Sequence, residues 1–220
     1  GIVGSSIAYH LTKMGAEVTV IERDLPAAHA SGKNFGWLHA SYPTKPFSFH
    51  HLLKLSLLAY QNLETEIDID IHWGGSFEWS ASKENQKILT KEIEIQQGYG
   101  VPISMINGKQ AHELEPNVEF DEEISIAFSK LDGAVDANEV VKKLLKKTIS
   151  LGGRVLYPVT YKNIKTKNGK IAAVKTSVGE IEADQVVFAC GGDTDELLKI
   201  DILNKSKPEI ILRTQPMKKI

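Results

Sequence analysis

The sequence has one cysteine, almost no net charge and no long hydrophobic run. Cys190, the single cysteine, excludes an internal disulfide framework and a CxxC metal site, so no metal centre is expected. A formal charge of -2 gives no signal for a nucleic-acid partner. Lys, Asp or Gly interrupts the most apolar stretches within about ten residues, so no transmembrane segment is predicted. We expect a cytoplasmic protein and leave peripheral membrane association open.

The chain opens in the middle of a nucleotide-binding motif. Residues 1–4 (GIVG) match the last two glycines of a G-x-G-x-x-G turn, where one glycine lets the backbone approach a pyrophosphate and the next lets helix and strand pack closely. Because the first strand and first glycine of that motif are expected before Gly1, we interpret the sequence as a fragment. Any targeting peptide would lie upstream.

A helix and a strand follow the turn at the expected spacing. The helix is predicted to end at Gly15 and to bury the apolar stripe of Val3, Ile7, Leu11 and Met14. Residues 17–21 are apolar and β-branched enough for a buried parallel strand, and Glu22 stands at its end. A carboxylate there accepts hydrogen bonds from ribose hydroxyls and repels a ribose phosphate, which disfavours NADP.

The middle of the chain alternates between helix and strand signals. A long loop is predicted at 25–48, helices at 49–67, 83–98, 107–115 and 135–150, and strands at 71–80 and 124–129. Two helices have a clear apolar stripe, and the predicted buried residues are Leu52, Leu53, Leu57, Tyr60 and Leu63 in the first and Val140, Val141, Leu144 and Leu145 in the second. Asp136 or Asn138 is predicted to cap the last helix.

The segment after residue 160 predicts a β-meander. Strands at 163–166, 170–176 and 180–189 are joined by Asn168-Gly169, the strongest short hairpin signal, and by residues 177–179. The unbroken apolar run 185–190 is predicted to be a buried central parallel strand, which makes Cys190 an inert core thiol. Because a purely NAD-binding half would carry a βα unit here, the meander favours FAD over NAD.

These motifs resemble the FAD-dependent oxidoreductases of the D-amino-acid oxidase, glycine oxidase and sarcosine oxidase type, the DAO family. The matching segments appear in the family's order at 1–6, 22–23, 30–36, 113–116, 132–136 and 183–192. The resemblance implies an α/β fold, with a Rossmann-like FAD-binding domain (parallel sheet plus β-meander) and an interleaved α+β substrate domain. It places 1–70 and 131–202 in the FAD-binding domain, and 71–130 and 203–220 in the substrate domain.

The resemblance also implies which residues contact the cofactor. The position aligned with the family's adenine-contacting valine is Tyr161, two residues after Val159. The full set of expected FAD contacts is Gly1, Ile2, Gly4, Ser5, Ser6, Glu22, Arg23, Ala30, Ser31, Lys33, Asn34, Phe35, Gly36, Tyr161, Ala189, Cys190 and Gly191.

The implied activity is oxidation of a C–N bond in a small amine or amino acid, by hydride transfer to flavin N5. The electron acceptor would be oxygen or a redox partner, and no catalytic residue is assigned. Two alternatives keep the fold: an enzyme acting on a hydroxy acid or glycerol phosphate, and a non-catalytic FAD-binding subunit of a multisubunit amine dehydrogenase. We expect surface or helix-cap roles for His39, His50 and His51, although His39 follows the flavin loop and could face the ring.

Overall fold

The computed structural model describes residues 1–41, 47–200 and 210–211. Contacts divide them into unit 1, which contains Gly1–Phe35 and the described residues from Asp136 onward, and unit 2, which contains the described residues of Gly36–Val135. The predicted second part of the substrate domain, 203–220, lies outside the described residues except for 210–211. None of the described helices is long and apolar enough to cross a membrane.

The described part of the chain contains six α-helices and eleven β-strands, numbered in chain order. The helices are α1 Ile2–Lys13, α2 Phe47–Ile67, α3 Lys83–Gly98, α4 Gly108–Leu114, α5 Ala137–Ser150 and α6 Thr194–Leu198. The strands are β1 Thr19–Ile21, β2 Trp37–Leu38, β3 Ile71–His72, β4 Ser76–Trp79, β5 Ile103–Asn107, β6 Ser125–Ser129, β7 Gly133–Val135, β8 Arg154–Leu156, β9 Tyr161–Lys167, β10 Lys170–Thr176 and β11 Gly179–Glu182.

Unit 1 contains the parallel βα layer that the fold class requires. β1 pairs in parallel with β8, with Val20 opposite Val155, and α1 packs against α5. A core of Ala27, Val141 and Leu145 lies beneath this layer. A parallel pair with helices packed beside it is typical of α/β proteins, which confirms the predicted class.

α1 ends at the predicted glycine but buries a different face. Gly15 follows the helix with φ +90°, the left-handed conformation of a C′ glycine. The predicted apolar stripe is wrong, because Met14 is 82% exposed and Val3 61% exposed. The buried residues are Ser5, Ala8, Tyr9 and Thr12. Most of these side chains are small, which allows α1 to approach α5 closely.

α5 confirms its sequence signals. Val140, Val141, Leu144 and Leu145 are all buried. The helix starts at Asp136, whose Oδ1 accepts a hydrogen bond from the N–H of Asn138 at 2.8 Å. The N-cap is therefore Asp136, one of the two predicted candidates.

The meander is present, but its last strand is short. β9, β10 and β11 form an antiparallel sheet in the order β11-β10-β9, and Asn168 and Gly169 both have positive φ, as a type I′ turn requires. The prediction that Gln185–Cys190 is a buried strand is wrong: Val187 is 58% exposed and Cys190 is exposed. A strand needs a neighbour for its backbone hydrogen bonds, and no described strand pairs with this run.

Unit 2 is built on two three-stranded antiparallel sheets, in the orders β2-β7-β3 and β4-β6-β5. The predicted strand at 71–80 is two strands, β3 and β4, separated by a turn in which Gly75 has φ +84°. α3 packs on β5 and β6 through Leu89, Ile93, Ile103 and Ala127.

α2 starts two residues before the predicted span and ends at Ile67 as predicted, and four of its five predicted inner residues are buried or half-buried. Leu57 is buried as predicted, whereas Leu52 is 54% exposed. His50 is 2% exposed, so its predicted surface or cap role is wrong. Because burial disfavours the charged ring, with smaller effects from Lys54 and His51, the pKa of His50 is lowered.

Candidate dinucleotide-binding site

The start of α1 lies against the loop that contains Ser31. The backbone N–H of Ile2 donates to Ser31 Oγ at 2.9 Å. A Cβ added at Gly1 would lie 2.8 Å from the same oxygen, so the absence of a side chain at Gly1 permits this approach. The N–H groups of a first helical turn point out of the helix beside the positive end of its dipole, which favours a phosphate.

A third segment reaches the same turn from the far end of unit 1. A Cβ added at Gly4 would lie 3.3 Å from the Cβ of Ala189, tighter than most such contacts. Gly4 therefore allows the chain around Ala189 to pack on the helix start. Three segments that are distant in sequence meet here, and each belongs to the predicted cofactor site.

Glu22 is placed beside the helix start by the end of β1. Its N–H donates to Leu156 O at 3.0 Å, and its carbonyl accepts from Val159 N–H at 2.7 Å. The Glu22 Oε2 atom is 3.8 Å from the nitrogen of Gly1, and Oε1 accepts from Asp24 N–H at 3.0 Å. The carboxylate is thus fixed at the strand end, where a ribose would be expected.

Arg23 connects this strand end to the turn after Gly191. Its guanidinium contacts Asp24 Oδ2 at 3.2 Å and Asp193 Oδ2 at 3.1 Å. The hydrogen bond to Asp24, then the charge of Asp193, raise the pKa of Arg23. Hydrogen bonds from His29 and Arg23 lower the pKa of Asp24. This side of unit 1 therefore carries alternating charges on neighbouring side chains.

A surface cavity of about 470 Å³ opens next to this cluster. Its lining is Asp24, Leu25, Ala28, His29 and Pro158.

The loop 30–36 is held by backbone contacts. Asn34 Nδ2 donates to Ser31 O at 2.7 Å and to Ala30 O at 3.2 Å, while its neighbours Lys33 and Phe35 are exposed. A Cβ at Gly32 would lie 2.0 Å from Ala27 O, so this turn requires glycine.

Gly36 begins unit 2 in a conformation that favours glycine. Its φ is +68°, and a Cβ would lie 1.9 Å from Val135 O. The Gly36 carbonyl accepts from Val135 N–H at 3.0 Å. These contacts fix the backbone immediately before β2.

Several residues of the expected FAD set also make side-chain contacts within the protein. The Ser5 hydroxyl is buried and donates to Ile2 O at 3.0 Å, so this side chain faces into α1, while Ser6 is half-buried. The Tyr161 ring packs edge-on against Phe188, with centroids 5.2 Å apart. In the same segment, Val159 is the residue bonded to Glu22, a placement that sequence reasoning did not assign. The one sequence signal for this placement is that Val159 lies two residues before Tyr161, the position aligned with the family's valine.

Cys190 and Gly191 form the turn after Ala189. Desolvation of the sulfur raises the pKa of the Cys190 thiol, although the residue is exposed overall. Gly191 has φ +60°, and its carbonyl accepts from Thr194 Oγ1 at 2.9 Å. Within residues 1–41, 47–200 and 210–211, no group of three or more Asp, Glu, His or Cys side chains is placed to hold a metal ion.

The family profile described as "FAD dependent oxidoreductase" (DAO) matches residues 1–219. The chain therefore belongs to the DAO family. FAD is the cofactor of this family, and the residues in unit 1 fit it: outward N–H groups at a glycine turn, a carboxylate at the strand end, and glycines at the close approaches.

Known proteins are similar to this chain over most of its length. It is 28% identical over 206 residues to glycine oxidase from Bacillus licheniformis, covering 90% of this chain and 54% of that protein. It is 25% identical over 198 residues to the mitochondrial pyruvate dehydrogenase phosphatase regulatory subunit of Mus musculus, covering 87% of this chain and 22% of that protein. The crystal structure of L-proline dehydrogenase from P. horikoshii superposes with a TM-score of 0.79 at 26% identity, covering 89% of this chain and 52% of that one. The chain thus spans about half the length of the glycine oxidase and of the proline dehydrogenase.

Proposed function

We propose that the whole protein oxidises a C–N bond in a small amine or amino acid, using FAD. The observation that carries this proposal is the meeting of Gly1, Ser31 and Ala189 at the start of α1, with Glu22 beside them. The similarity to a glycine oxidase and to an L-proline dehydrogenase supports the C–N class of substrate.

The chain's own residues would hold the cofactor in a defined order. The N–H groups at the start of α1 would stabilise the pyrophosphate, and Glu22 would accept hydrogen bonds from the adenosine ribose. Arg23 and the nearby cavity would border the adenine. The backbone of Val159, which is hydrogen-bonded to Glu22, would lie beside them. The loop from Ala30 to Gly36 would continue toward the ring. When bound, the flavin supplies a centre that accepts hydride at N5.

The predicted domain assignment belongs to the same proposal. Residues 1–70 and 131–202 would form the FAD-binding domain, while 71–130 and 203–220 would belong to the substrate domain. The final electron acceptor would be oxygen or a protein partner.

Purification and anaerobic reduction of the full-length protein test the proposal. We expect a yellow protein whose visible flavin absorption bleaches with amines or amino acids. If only hydroxy acids or glycerol phosphate bleach the flavin, the substrate belongs to that class and not to the amines or amino acids. A colourless protein that ignores added FAD would contradict the cofactor site itself. Admitting oxygen after bleaching then separates an oxidase, whose colour returns quickly, from a dehydrogenase.

A non-catalytic subunit is the second candidate, favoured by the similarity to a phosphatase regulatory subunit. In that case, the full-length protein would bind FAD, and no substrate would reduce the flavin until a partner protein was added.

A further inference from the structure

A buried carboxylate connects the strand after Gly36 to two other parts of unit 2. Asp132 lies between β6 and β7 and is 1% exposed. Its Oδ2 accepts hydrogen bonds from Trp37 Nε1 at 3.3 Å, Ser41 Oγ at 2.6 Å and Ser76 Oγ at 2.7 Å. Because an unpaired buried carboxylate is costly, three donors on one oxygen indicate a cluster with a fixed geometry.

Of the three donors, Trp37 is the one whose side chain is large enough to pack against a small ligand. Its indole ring stacks on the His39 ring, with centroids 3.8 Å apart and planes 16° apart. Leu38 between them is buried, whereas Trp37 and His39 are half-buried, as expected from the alternation of side chains along a strand. The pair therefore presents aromatic surface on one face while Asp132 holds the N–H edge of the indole.

The chemistry of the pair suits a small amine. Burial lowers the pKa of His39, and the charge of Asp132 only partly opposes this, so the environment favours the neutral ring. A neutral aromatic surface contacts the carbon skeleton of an amine without repelling its ammonium group, and an indole face attracts a cation. Gly36, an expected flavin contact, directly precedes Trp37 in the chain.

We propose that Asp132 is a positioning residue that fixes the Trp37–His39 pair as a wall against which a small amine substrate packs. This inference rests on the proposed function for its substrate. Asp132 acts through Trp37 and does not itself touch the substrate.

The test uses the full-length FAD-loaded protein and four single variants: Asp132→Ala, Asp132→Asn, Trp37→Phe and Trp79→Phe. Asp132→Asn keeps an acceptor oxygen, and Trp79→Phe is the matched control, because Trp79 packs on Phe120 in the same unit. Losing the hydrogen bond between the indole N–H and the side-chain oxygen at position 132 should raise KM for the amine about tenfold in Asp132→Ala and in Trp37→Phe. The value of kcat should change much less, and Asp132→Asn and Trp79→Phe should stay near wild type.

A second measurement does not depend on activity. The near-ultraviolet circular dichroism of an immobilised indole should be lost equally in Asp132→Ala and Trp37→Phe and retained in Asp132→Asn. The double variant Asp132→Ala/Trp37→Phe should have a KM no higher than that of either single variant, because the two residues act as one unit. Additive effects, or a wild-type KM in Trp37→Phe, would overturn the inference.

Failure to fold and failure of the proposed function give different results. If Asp132→Ala does not fold, the comparison of Trp37→Phe with Trp79→Phe decides: a raised KM only in the first supports the inference, and equal values overturn it. If no amine reduces the wild-type flavin, the proposed function fails, and an unchanged indole signal in folded Asp132→Ala would separately overturn the positioning role.

Discussion

Gly36 shows how one residue without a side chain sets the path of the loop. Replacing it with Ala would put a Cβ 1.9 Å from the carbonyl oxygen of Val135, a backbone atom that cannot move independently. We expect Gly36→Ala to lower the free energy of unfolding by more than about 3 kcal/mol, as measured by urea denaturation.

Gly15→Ala is the matched control for this prediction. Gly15 also has positive φ, but a Cβ there would meet nothing within 4 Å. Gly15→Ala should therefore lower the free energy of unfolding only by the cost of a left-handed alanine, about 1–2 kcal/mol. Equal losses in the two variants would show that the close approach to Val135 has no energetic effect.

Glu78 should make stability depend on pH. Burial in β4, then the charges of Glu92 and Asp132, raise the pKa of Glu78 above 4.5. Because the charged form is disfavoured in the folded state, stability is highest below the ordinary pKa and falls as pH rises through the raised one. We therefore expect Glu78→Gln to match wild type near pH 3 and to exceed it in urea midpoint near pH 7.

Glu119→Gln tests whether any loss of negative charge has this effect, since Glu119 is exposed in the same unit. A similar gain in that variant at pH 7 would mean that net charge, not the burial of Glu78, is responsible.

At the scale of elements, the N-cap of α5 can be tested by a substitution that removes a single hydrogen bond. Asp136 Oδ1 accepts the N–H of Asn138, and Asn can accept the same bond. We expect Asp136→Ala to cost about 1 kcal/mol of unfolding free energy and Asp136→Asn much less, measured by urea denaturation. Equal losses in the two variants would indicate that the helix does not depend on this cap.

Elements with complete local signals could be predicted from the sequence. α5 has a cap, a 3.6-residue apolar period and a terminal glycine, and the Asn168-Gly169 turn specifies its hairpin by backbone conformation. β8 was missed because a three-residue strand is too short to show periodicity. The buried face of α1 depends on how closely α5 approaches, and the run 185–190 depends on a pairing partner, so neither is encoded locally.

The candidate site also contains some parts that local sequence motifs indicate and others that depend on contacts between distant segments. The glycine turn, Glu22 and the loop around Asn34 carry motifs, and the structure brings them together in unit 1. The inward hydroxyl of Ser5, the bond between Val159 and Glu22, and the cluster at Asp132 arise from contacts between distant segments. Asp132 accepts from Trp37, 95 residues away, which no local pattern reveals.

At the scale of the whole molecule, unit 1 is assembled from two stretches of chain. β1 pairs with β8, so Thr19 faces Arg154, 135 residues later. We expect a chain that ends at Val135 to lose hydrogen-exchange protection in α1 and β1, because both lose their partners. Protection in α3 should persist, since Leu89, Ile93, Ile103 and Ala127 all lie in the retained part. Retained protection in α1 would mean that it does not need α5.

The exposed thiol at Cys190 has a practical consequence. It is the single cysteine of these 220 residues, and it follows Ala189, whose Cβ faces Gly4. Its raised pKa makes the reactive thiolate scarce at neutral pH, so alkylation should be slow and easily timed. A maleimide reagent would therefore label a thiol beside the proposed dinucleotide site, and slower labelling in the presence of FAD would report binding without requiring turnover.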